Sequence, residues 1–179
     1  PVKAELSCGK GEASVKLSQT RFLPSGSSGS SAQRWQIPVC LRWEPGEGRA
    51  CTLLSEPSAV LPLPGTKGCP SLLLPNAGSG GYYHVVYQPK DLDALLRDGG
   101  KKLTLAERLG VVADVAALGR SGALPLGDLL GHLPSFAADP SPHVQRAAAA
   151  FLFGIPQAVI PEAQRASYGR YVDRTFGKK

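Results

Sequence analysis

No apolar run in this 179-residue sequence approaches the roughly 20 residues that a membrane-spanning helix needs. The opening, Pro1-Val2-Lys3, carries neither a methionine nor a basic-then-apolar leader, which reads as a segment cut from something longer. Signatures of catalysis are equally scarce. There is no His-Glu-x-x-His, and His84, His132 and His143 stand singly, so a surface or core role is expected for each rather than metal binding. No Cys-x-x-Cys pair and no Gly-x-Ser-x-Gly elbow occur. Gly9-Lys10-Gly11 and Gly65-Thr66-Lys67-Gly68 lack the spacing and the following helix of a phosphate loop, and they read as turns. A basic stripe is missing as well. The net charge of +6 divides evenly: residues 1–75 hold 8 basic and 5 acidic side chains, residues 76–179 hold 12 and 9. Nucleic-acid binding needs that charge clustered on one face, so a nucleic-acid partner is excluded, as is a membrane.

What is present is a globular composition, 42% hydrophobic and 19% charged, with 21 Gly and 16 Pro that favour short elements. Trp35, Ile37, Val39, Leu41 and Trp43 alternate with Gln36, Pro38, Cys40 and Arg42, the period of a half-buried strand. Pro38 lacks an N–H, so this strand should lie at an edge or have a break in its ladder. Glu44-Pro45-Gly46-Glu47-Gly48 should turn the chain into a strand at 50–54. Further strands are expected at 2–6, 14–22, 59–63 and 81–87, with residues 25–31 as a Gly/Ser hairpin tip. Asn76-Ala77-Gly78-Ser79-Gly80-Gly81 reads as a turn with positive φ angles.

The pattern then becomes helical. A short helix is expected from Asp91 to Asp98, stopping at Gly99-Gly100. A second opens with the capping box Thr104–Glu107 and closes at Gly119. A third starts at Ser141-Pro142 and runs to Phe153, and a last one runs from Pro161 to about Phe176. The fold class is therefore α+β: an N-terminal antiparallel β-sandwich over residues 1–88, then a short irregular α-solenoid of HEAT-like helix pairs over 89–179. The stripe Tyr168, Tyr171, Val172 and Phe176 should pack backward on Phe151 and Phe153, leaving a forward side that self-associates or frays.

Cys8, Cys40, Cys51 and Cys69 all lie in the β-rich part. Their even number fits two disulfides in an exported protein, periplasmic or extracellular; four unpaired buried thiols in a cytoplasmic protein are the alternative. Cys8–Cys40 with Cys51–Cys69 is the expected pairing. Cys8 ends the first strand beside a possible neighbour, and Cys51 and Cys69 bracket one short excursion.

Four pieces in order carry a resemblance: Gln19-Thr20-Arg21-Phe22, Trp35-Gln36-Ile37-Pro38-Val39, Asn76 five residues before Gly81, and Gly81-Tyr82-Tyr83-His84-Val85-Val86-Tyr87. Together the sequence resembles the region after the catalytic domain in gluzincin zinc aminopeptidases of the aminopeptidase N type. His84 replaces the usual arginine, and Leu72 stands where a tryptophan is common. The resemblance makes Gln19, Arg21, Trp35, Pro38, Asn76, Gly81, Tyr82, Tyr83 and Tyr87 structural residues of a spacer sandwich that leads into a helical bowl. It implies no catalytic, cofactor or metal residue in this chain. Zinc, the peptide substrates and the hydrolysis belong to the parent, whose catalytic domain would be the partner of this segment. The alternative is a stand-alone sandwich and helical module that binds protein or carbohydrate through an exposed face bearing Trp35 or Trp43.

Overall fold

The computed structural model describes residues 1–30 and 32–177, with residues 98–100 described in backbone alone. Among the described residues, seven strands and five α-helices follow one another: β1 (Val2–Ser7), β2 (Ala13–Gln19), β3 (Ile37–Glu44), β4 (Gly48–Leu54), β5 (Ser58–Leu63), β6 (Leu72–Leu74), β7 (Val85–Val86), then α1 (Pro89–Lys102), α2 (Leu105–Ser121), α3 (Leu126–Ala137), α4 (Pro142–Phe153) and α5 (Glu162–Phe176). One sheet has the order β5-β2-β1-β7 and the other β4-β3-β6. All pairings are antiparallel except β1 with β7. The inward residues of both sheets, among them Val15, Leu17, Val39, Leu41 and Trp43, form one core. This is the expected α+β class.

Pro38 behaves as its chemistry requires. β3 pairs with β4 along its length, but β6 covers only Arg42–Glu44, so Pro38 faces no strand on its second side. Gly48 sits opposite Trp43 and against its indole; a Cβ there would overlap the ring, which only a glycine avoids.

Several expectations are corrected. β2 ends at Gln19 rather than Phe22, and β3 lies in the other sheet. Residues 20–36 therefore cross between sheets, and the Gly/Ser segment is no hairpin tip; of that segment, Ser31 lies outside the described residues. Its Ser25 N–H donates instead to the Arg120 carbonyl, 2.9 Å away, at the end of α2. The expected strand over 81–87 shrinks to Val85–Val86, the only part that finds the free edge of β1. The disulfides are Cys8–Cys69 and Cys40–Cys51, not the expected pairing. Cys40 and Cys51 stand directly opposite in the β3–β4 ladder with Cα atoms 4.0 Å apart, within bridging distance. β1 lies between β2 and β7 while β3 is in the other sheet, and Cys8 bridges to Cys69 rather than to Cys40.

The helices show the same mixture. The capping box is present as expected: Thr104 Oγ1 accepts the Glu107 N–H, and the Glu107 carboxylate accepts the Thr104 N–H. α1 continues through Gly99-Gly100, and α2 passes Gly119 to end at Gly122, whose φ of 75° is the left-handed cap. Gly119 instead admits Leu129 of α3 at close range. α3 was not among the expected helices, and it holds Gly127, Gly131 and Pro134 within it. It places His132 on a helix and aligns Leu126, Leu129, Leu130 and Leu133 at helical spacing.

β6 joins two cores. Its three leucines are all buried; Leu73 packs into the sandwich, while Leu72 and Leu74 pack with the helices. Period two on one short strand thus serves both sides.

Candidate functional site

Of the motif residues, those of the 76–87 segment lie where the sandwich meets the helices, and Gln19 lies within the sandwich. Gln19, at the end of β2, is 3% exposed. Its Nε2 lies 2.9 Å from the Trp35 carbonyl, 3.0 Å from that of Glu56 and 3.2 Å from that of Leu54, and its Oε1 accepts the Trp35 N–H at 2.8 Å. One amide therefore substitutes for a missing ladder between the crossover and β4. Asn76 does the same for the next turn. Its Nδ2 donates to the Gly81 carbonyl at 3.0 Å and its Oδ1 accepts the Gly81 N–H at 2.9 Å. Gly78 and Ser79 between them have positive φ, as expected of that turn. Gly81 leaves room for the Tyr83 ring, whose hydroxyl donates to Pro75 at 2.8 Å. Arg21 is exposed in the crossover, and Tyr82 is wholly exposed.

α2 docks on this frame through two buried carboxylates two helical turns apart, Glu107 and Asp114. Glu107 is 2% exposed. It accepts from Arg42 Nε at 2.7 Å and from Arg42 Nη2 at 2.8 Å, and it also takes the Gly78 N–H at 2.9 Å. Arg42 Nη2 additionally donates to the Lys102 carbonyl at 2.6 Å. β3, the Asn76 turn, the end of α1 and the start of α2 are thereby tied at one residue. Burial alone would raise the Glu107 carboxyl, but the Arg42 hydrogen bonds, the two N–H donors and the guanidinium charge bring it down to about 2.

Asp114 takes the other end. Its carboxylate accepts the Val85 N–H at 3.1 Å and the Tyr87 hydroxyl at 2.9 Å, with His84 Nδ1 at 3.3 Å. Burial lifts this carboxyl above its ordinary range, against the lowering effect of those donors. The same burial, with Asp114 nearby, pushes the Tyr83 and Tyr87 hydroxyls up. Glu107 and Asp114 both act as fasteners, a role the sequence alone did not reveal. The signal for Glu107 was its capping-box position; Asp114 had none.

The residues present do not fit a zinc site. All four cysteines are in disulfides, His84 rests on Asp114, and among the described residues no group of three or more His, Cys, Asp or Glu could hold a metal ion. Among them, too, no helix is long and apolar enough to cross a membrane. Trp43 is buried in the core, whereas Trp35 is 41% exposed, which leaves Trp35 alone of the two on the surface.

Sandwich, clamped junction and helices define an α+β region in which α2 is fastened to the sandwich. Residues 72–179 match the model of the ERAP1-like C-terminal domain, and the chain belongs to that family. A puromycin-sensitive aminopeptidase of Caenorhabditis elegans is 26% identical over 119 residues, 65% of this chain and 12% of that protein. Aminopeptidase 2 of Candida albicans is 29% identical over 128 residues, covering 70% and 14%. Glutamyl aminopeptidase of Bitis rhinoceros is 28% identical over 170 residues, covering 83% and 17%. The chain thus spans between 12% and 17% of the length of these relatives.

Proposed function

We propose that this chain is the β-sandwich and the opening helices of an aminopeptidase, in which it supports and covers the active site of the parent's catalytic domain. The observation that carries the reading is the clamp: Arg42–Glu107 and the Asp114 cluster make α2 one body with the sandwich. A spacer that positions a cover over a catalytic cleft needs such rigidity more than it needs reactive groups. In this reading residues 1–88 are the spacer and 89–179 the beginning of the cover, with β6 serving both. Zinc in the catalytic domain would polarise the scissile carbonyl and activate water for hydrolysis of N-terminal residues from peptides. The fully exposed Tyr82 supplies a contact for that domain. Two disulfides favour an exported parent.

The test uses the full-length parent. Arg42→Met should loosen the junction and shift the ratio of kcat/KM for long peptides to that for an aminoacyl anilide, with zinc content unchanged. An unchanged ratio, with hydrogen exchange across 105–121 already accelerated, would count against the covering role.

A further inference from the structure

α1, the first turns of α2 and the turn between α3 and α4 enclose a cleft of about 330 Å³. That volume lies in the range of small-molecule sites. Leu103, Val111 and Phe136, all buried, make its apolar floor. Arg97 and Lys101, one helical turn apart on α1, stand exposed on its wall. Arg108 and Asp139 close the polar end, with Nε and Oδ2 2.9 Å apart in a contact that is not aligned as a hydrogen bond. The other oxygen of Asp139 accepts the Ser141 N–H at 2.8 Å. Asp139, the one carboxylate among the described lining residues, is thus committed to Arg108 and to the start of α4. Arg97 and Lys101 present exposed positive charge on that wall.

We propose that this cleft binds a medium-chain aliphatic monocarboxylate, its tail on Leu103, Val111 and Phe136 and its head between Arg97 and Lys101. A polyanion such as a nucleotide would leave its polar atoms without partners on that floor. A cationic ligand would meet like charge. The proposal is independent of the covering role.

Decanoate, below its micelle concentration, is titrated into the 179-residue chain and followed by calorimetry and amide chemical shifts. The tail should carry most of the affinity, so each methylene removed between decanoate and octanoate weakens binding about fourfold. Decanol, or the doubly substituted Arg97→Gln/Lys101→Gln chain, should show binding about tenfold weaker. Both substitutions sit on the surface, and an unchanged circular dichroism spectrum verifies that the variant folds. Equal affinity for decanol and decanoate, or for the variant and the parent chain, would overturn the proposal. So would shifts at 103, 111 and 136 that appear with an acidic apolar peptide but not with decanoate, which would make the cleft a groove for polypeptide.

Discussion

Glu107 and Asp114 sit two turns apart on one helix, yet pH should act on them in opposite senses. The folded-state pKa of Glu107 is depressed from 4.5 to about 2. Its contribution is therefore complete above about 4.5 and is lost as pH falls through about 2. The Asp114 carboxyl is raised, so its burial opposes ionisation, and the penalty grows as pH rises from 3.8 through the folded value. Glu107→Gln should cost about 3 kcal/mol at neutral pH, because it leaves Arg42 without its carboxylate partner, and the loss should shrink toward pH 2. Asp114→Asn keeps an acceptor for the Val85 N–H and should cost only about 1 kcal/mol. Denaturant midpoints measured from pH 2 to pH 7 check both. Equal costs at both ends of that range would refute the Glu107 assignment.

At the scale of elements, the helix absent from the sequence reading, α3, supplies the anchor for the last one. Pro134 lies inside α3 and has no N–H for the Leu130 carbonyl four residues back. The Tyr171 hydroxyl of α5 donates to that same carbonyl at 2.6 Å. α5 has no fully buried residue, so this bond and the one from Tyr168 to the Leu152 carbonyl weigh heavily in its attachment. Tyr171→Phe should cost about 1 kcal/mol and raise amide exchange across 162–176. Pro134→Ala, which lets α3 reclaim the carbonyl, should raise the same exchange without destabilising α3. β6 offers a parallel test of the two cores. Leu73→Ala and Leu74→Ala should each cost about 2–5 kcal/mol. Leu73→Ala should first expose amides of β2 and β3, and Leu74→Ala those of α1 and α2. Identical exchange patterns from the two would show a single undivided core.

For the whole molecule the two disulfides differ in reach. Cys8–Cys69 spans 61 residues and Cys40–Cys51 spans 11. On the chain-entropy account the first is worth about 4 kcal/mol and the second about 3. Cys8→Ser/Cys69→Ser should thus lower the thermal midpoint more than Cys40→Ser/Cys51→Ser. The reverse order would place the gain in the native ladder instead. The helical end presents a different feature. Phe153, expected beneath α5, is 75% exposed, and Val159 nearby is 56% exposed. The isolated chain should therefore associate through its last helices as concentration rises, and Phe153→Ser should weaken the association. Sedimentation showing a strict monomer at high concentration would refute this.

By itself the sequence determined the elements whose signals are local. The alternation over Ile37–Trp43, the Glu44–Gly48 turn, the Thr104–Glu107 box and the Ser141-Pro142 start appear in the fold as read, whereas Trp35 lies before β3 and is 41% exposed. Each depends on residues within one strand or one turn of helix, so chain chemistry suffices. The family motifs were legible too, but not what they do. Gln19 and Asn76 act by bonding to backbone groups that the chain must first bring near, from Trp35 and Glu56 in one case and across a turn in the other. α3 went unread because the use of its proline, a Leu130 carbonyl left for the Tyr171 hydroxyl, exists only after α5 docks. The disulfide pairing and the Asp114 cluster were decided by the tertiary structure alone. Which strand lies beside β1, and which face of α2 meets β7, are matters of sheet order and helix docking, on which no local periodicity bears.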